Sequence, residues 1–142
     1  MSEQRGPAPQ GRYLPALVAG GLVHSAGMTP RRDGRLVVTG RIGDGVDPGT
    51  ATAAAGLAAG NALTACEIAA GGADRIDRPV RMTVWIACAG PHAGLSAIAD
   101  GASDVLAERF GADRLPVRAA VGVAALPGDA PVEVELTLSL RP

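Results

Sequence analysis

The sequence predicts an α+β domain: a mixed sheet with two helices packed on one face. Three observations predict it. The elements run strands, helix, strand, helix, two strands; Asp47-Pro48 opens a long Ala-rich helix; and residues 132–140 alternate apolar and polar.

Residues 1–10 hold two Pro, a Gly and several polar residues and read as a loose arm, leaving 11–142 as one domain. Leu14-Pro15-Ala16-Leu17-Val18 and Leu22-Val23-His24-Ser25-Ala26 flank Gly20-Gly21, the pattern of a β-hairpin. Arg31-Arg32-Asp33-Gly34 reads as a turn, and residues 35–40 as a third strand before a Gly-rich loop over 42–46. Asp47 can cap the first helix with Pro48 at its first position, and Gly71-Gly72 stops it after Ala70. Val80, Met82, Val84 and Ile86 alternate with Arg81, Thr83, Trp85 and Ala87 as a strand does. A second helix is expected from about Pro91 to Arg109, with Leu95, Ile98, Ala102, Val105 and Leu106 on one face. Strands over 118–123 and 132–140 complete the set. In the last, Val132, Val134, Leu136, Leu138 and Leu140 should meet the helices, while Glu133, Glu135, Thr137 and Ser139 face away. A second sheet face that carries carboxylates and has no helix over it invites oligomerisation.

Composition narrows the function. The 142 residues carry a net charge of −1, and every one of the 13 basic residues is Arg, which excludes a Lys Schiff base or a P-loop Lys. Tyr13, Trp85 and Phe110 are the only aromatics, too few for a base-stacking platform. With that charge they speak against nucleic-acid binding. No run approaches roughly 18 consecutive apolar residues, so no membrane partner is expected. Cys66 and Cys88 are far apart and outside any Cys/His ligand spacing, which fits buried fillers, no metal and a reducing, cytoplasmic setting. His24 and His92 likewise lack ligand partners at metal spacing.

Several stretches resemble one known family. Tyr13-Leu-Pro-Ala-Leu, Ser25-Ala-Gly-Met-Thr-Pro30, Gly101-Ala-Ser-Asp104 with Phe110-Gly111, Arg118-Ala-Ala-Val-Gly-Val-Ala-Ala-Leu-Pro127 and Val132-Glu-Val-Glu135 are similar, in this order, to the YjgF/RidA (reactive intermediate deaminase) family. The likeness covers about residues 11–140 and is nearest to a RidA-related branch. It implies a chorismate-mutase-like fold, a homotrimer with a central barrel, and ligand clefts between subunits. It also implies cofactor-free hydrolysis of enamine and imine acids such as 2-aminoacrylate to 2-keto acids and ammonia. The nuclease label that some relatives carry fits this composition poorly.

An imino acid offers a carboxylate beside an electrophilic C=N, and the planar fork of Arg suits the carboxylate. Arg118 matches the family's carboxylate-binding Arg; its position equally suits a surface Arg paired with an acid. Glu133, fifteen residues on, matches the family's water-orienting Glu, and a solvated strand face is the alternative. Tyr13 matches the cleft Tyr, expected from the neighbouring subunit, or is a half-buried core aromatic. Ala26, Gly27 and Ala120 fall at the remaining substrate-binding positions. There the family's Ser-Gly-Gln is Ala26-Gly27-Met28, its Cys is Ala120, and an Asn aligns with Gly90. These changes imply a roomier and less polar cleft. They raise two alternatives to the deaminase: a non-catalytic trimer that binds small carboxylate ligands, and a pathway-specific enzyme acting on a larger substrate.

Overall fold

The computed structural model describes residues 6–142. Its main sheet has five strands: β1 (Ala16–Ala19), β2 (Leu22–Ser25), β3 (Ile76–Ala87), β4 (Val117–Val123) and β5 (Val132–Leu140). They lie in the order β1-β2-β5-β3-β4, antiparallel except for the parallel β3–β4 pair. Helices α1 (Pro48–Ala70) and α2 (Leu95–Phe110) pack against each other and into one core with the sheet. This is the α+β architecture read from the sequence.

Local chemistry sets most boundaries. Gly20 and Gly21 both have positive φ, 59° and 76°, the two-residue turn whose twist suits a tight hairpin. The Asp47 carboxylate accepts from the Thr50 amide at 2.8 Å, and Gly71 ends α1 in the left-handed conformation. By length and composition α1 could span a membrane, yet it is a core helix. Seven of its alanines, from Ala51 to Ala65, are buried with Leu63 and Cys66. Small side chains let it lie close to its neighbours: a Cβ added at Gly56 would come within 3.2 Å of the Gly101 carbonyl oxygen on α2.

Three expectations are corrected. Of the strand expected over 35–40, only Arg35–Leu36 pairs, with Arg31–Arg32; Val37 and Val38 find no sheet edge. Helix α2 begins at Leu95 rather than Pro91, because the Gly94 amide turns back to His92 Nδ1 at 3.0 Å. Strand β3 starts earlier, at Ile76, and register shifts at Asp77 and Val80 make two bulges. The second leaves Val80 40% exposed and seats Pro79 in the interior instead.

The two sheet faces differ as the alternation of β5 requires. Val132, Val134, Leu136 and Leu138 are fully buried. On the other face, directly paired residues form rows: Leu17, His24, Thr137, Arg81 and Val117 in one, Glu133, Trp85 and Val121 in another. Leu17 and Val117 are more than half exposed, so this face carries uncovered apolar surface.

Candidate functional site

A cavity of about 600 Å³ opens beside the first residues of β5. Its walls come from residues 6–10, Tyr13, the segment Gly27–Gly34, the outer face of α1 and Glu133. Met28 exchanges two 2.8 Å backbone hydrogen bonds with Val134, which brings Gly27 against the neighbouring Glu133. A Cβ at Gly27 would lie 2.7 Å from the Glu133 carboxyl carbon. The Glu133 carboxyl is half-buried, and this burial, with the nearby Glu135 charge, holds its pKa above the ordinary 4.5. Tyr13 enters the same cavity, and its hydroxyl accepts from the Gln10 amide at 2.9 Å.

Tyr13, Gly27 and Glu133 are therefore brought together within one chain. Tyr13 shares this cavity with Glu133 of its own chain. Ala26 packs toward the core with its amide on the Pro15 carbonyl, outside the cavity lining. Ser25 is buried, and its hydroxyl accepts from the Leu136 amide at 3.0 Å, so it offers nothing to the cavity.

Arg118 and Ala120 lie elsewhere. Arg118 pairs with Met82, which pairs with Leu136, and Ala120 pairs with Val84, which pairs with Val134. Both rows face the helices, while Glu133 projects to the opposite side. The Arg118 guanidinium is taken up by α2: Nη1 donates to Asp100 at 2.8 Å and Ser103 Oγ at 2.9 Å, and Nη2 to the Ser96 carbonyl and hydroxyl. Ser96, Asp100 and Ser103 stand at i, i+4 and i+7 on one helix face. That polar spacing is the sequence signal for this cluster. Gly90, beyond the end of β3, is exposed and unconfined.

The cavity beside β5 also carries polar groups that the sequence reading did not single out. Arg31, Arg32, Asp33, Asn61 and Thr64 join Glu133 in the lining. The thiols are poor nucleophiles: burial pushes Cys66 up to about 12 and also raises Cys88. His24 is engaged with Thr137 Oγ1 at 3.0 Å.

The family model described as Endoribonuclease L-PSP matches residues 3–139. The chain belongs to this family, that of YjgF and RidA. Among its relatives, Protein TCP17 of Trypanosoma cruzi is 32% identical over 94% of this chain and 84% of its own. The Agrobacterium tumefaciens protein Atu1372, of unknown function, is 31% identical, with a TM-score of 0.86 over 92% of this chain and 83% of that one. The Escherichia coli YjgF gene product shares the fold at 22% identity, with a TM-score of 0.69 over 96% and 94% of the two chains. This family member is thus nearer to Atu1372 than to YjgF in both sequence and shape. Its YjgF-like fold supplies the sheet and the two helices.

Proposed function

We propose that the chain is a hydrolytic deaminase of small enamine and imine acids, working as a homotrimer. The observation that carries this reading is Glu133, a half-buried carboxyl with a raised pKa that opens onto a cavity beside Tyr13. A carboxylate tuned upward is a stronger base and can take a proton from water at neutral pH. Water would add to the C=N carbon as Glu133 accepts its proton. Passing that proton to nitrogen gives a carbinolamine. A second transfer, from its new hydroxyl to the amine by way of Glu133, lets the C–N bond break, so that ammonia leaves and a 2-keto acid remains. The Tyr13 hydroxyl, which accepts from Gln10, retains its own proton to donate to a bound acid.

Arg118 would bind the ligand carboxylate, with Ala120 beside it leaving room. Within one chain Arg118 and Glu133 project from opposite faces of the sheet, so a site holding both requires a second copy. The exposed Leu17, Val117 and Val121 on the uncovered face support such an assembly. A second reading is a non-catalytic binder of small carboxylate ligands, since Ala26 and Met28 stand where the family's Ser and Gln would be. In either reading the ligand carboxylate would displace some of the four contacts that Asp100 and the two serines make with the Arg118 N–H groups.

The test follows disappearance of 2-iminobutyrate, generated in situ, with wild type, Arg118→Ala and Glu133→Gln. Wild type should outpace buffer, and each variant should lose about 10²-fold or more of that acceleration. A folded wild-type assembly no faster than buffer would reject the deaminase and leave the binder.

A further inference from the structure

The cavity contains two cations that the imine chemistry does not use. Arg31 and Arg32 both line it. They sit on a tight hairpin in which Arg31–Arg32 pairs with Arg35–Leu36 through a turn at Asp33 and Gly34, with φ of 54° and 77°. The hairpin is tied to α1: Asn61 Nδ2 donates to the Thr29 carbonyl at 3.2 Å and the Arg31 carbonyl at 2.9 Å. Arg31 is further fixed by Nε on Thr29 Oγ1 and Nη1 on the Gly34 carbonyl. Two of its five N–H groups are thereby used, and both on Nη2 are free of a partner among the described residues.

Neither Arg meets an acid among the described residues. Among the described residues, no carboxylate oxygen lies within 4.0 Å of either guanidinium, although Asp33 and Glu133 line the same cavity. A half-buried Arg held in place with no counter-ion among the described residues is a prepared anion site, because the donor is already ordered. The space is also generous. At about 30 Å³ per water, 600 Å³ holds roughly twenty waters, far more than a small monocarboxylic acid displaces.

We propose that Arg31, supported by Arg32, binds a second acidic group of the ligand, so that the preferred ligands are dicarboxylic 2-imino and 2-keto acids. The inference rests on reading this cavity as the small-acid site and names its substrate class. One carboxylate of such a ligand belongs near the reacting carbon. The remote one reaches the hairpin, where Arg can take it with two parallel hydrogen bonds.

Equilibrium binding separates this from turnover. Calorimetric titration would compare 2-oxoglutarate with 2-oxobutyrate on wild type, the Arg31→Gln/Arg32→Gln double variant and Arg35→Gln. Arg35 stands on the partner strand of the hairpin outside the cavity lining, so its variant controls for net charge. Wild type and Arg35→Gln should prefer 2-oxoglutarate at least tenfold, and the double variant less than threefold. Equal affinities in wild type, no binding of either acid, or an unchanged preference in the double variant would each overturn the proposal. Selective diacid binding without imine hydrolysis sinks the deaminase alone; hydrolysis without diacid preference sinks this inference alone.

Discussion

Gly27 lies so close to Glu133 that a Cβ there would stand 2.7 Å from the carboxyl carbon and 2.9 Å from Oε2. The atoms in the way are the far end of a flexible side chain, so the fold can absorb the methyl group while the carboxyl cannot stay where it is. Gly27→Ala should therefore change stability by less than about 1 kcal/mol. Imine hydrolysis should fall at least tenfold. Urea unfolding beside the imine assay checks both, and full activity would show that the position of Glu133 does not matter.

Glu133 also makes a pH prediction. Its folded pKa is raised, so the native state holds this proton more tightly than the unfolded chain does. Stability from this group is then present at low pH and is lost as pH rises from the ordinary 4.5 to the raised value. Glu133→Gln removes the loss. The variant should melt above wild type at pH 7, and the difference should close below about pH 4.5. Melting curves at pH 4 and pH 7 that differ equally would contradict this.

Asp100 holds Arg118 at 2.8 Å but is itself well exposed, at 63%. Such a pair contributes about 0–1 kcal/mol to stability. Asp100→Asn should thus leave unfolding nearly unchanged while freeing guanidinium donors. If Arg118 binds the ligand carboxylate, KM for the imine drops several-fold with kcat held. An unchanged KM would mean that Asp100 does not compete with ligand.

Gly101 has a different kind of neighbour. A Cβ on it would run into the Thr52 carbonyl oxygen of α1, and backbone there cannot rotate away. Forcing the helices apart should destabilise Gly101→Ala by about 3 kcal/mol. Chemical denaturation would measure it, and a loss under about 1 kcal/mol would show that α1 and α2 slide apart freely.

The sequence by itself determined the local elements and the family. Asp47-Pro48 and Gly71 fixed α1 because capping groups act within one turn. The strict alternation of β5 fixed which of its faces is buried, because strand periodicity is independent of partners. The likeness of the segments around Tyr13, Arg118 and Glu133 to YjgF/RidA proteins placed the chain in its family. What only the tertiary structure decided depends on contacts between distant segments. The bulge at Val80 keeps β3 in register with β5; Pro79 marks an irregular strand locally, and the pairing with β5 decides where the shift falls. Tyr13 and Glu133, 120 positions apart, share a cavity because β5 lies next to β2 and Met28 bridges to Val134. Arg118 turns to Ser96, Asp100 and Ser103 because the parallel β3–β4 pairing sets its side chain toward α2. Arg31 stands at the cavity because Asn61, thirty residues away, holds its hairpin there. Sequence spacing encodes periodicity and caps; the convergence of charged groups is set by packing.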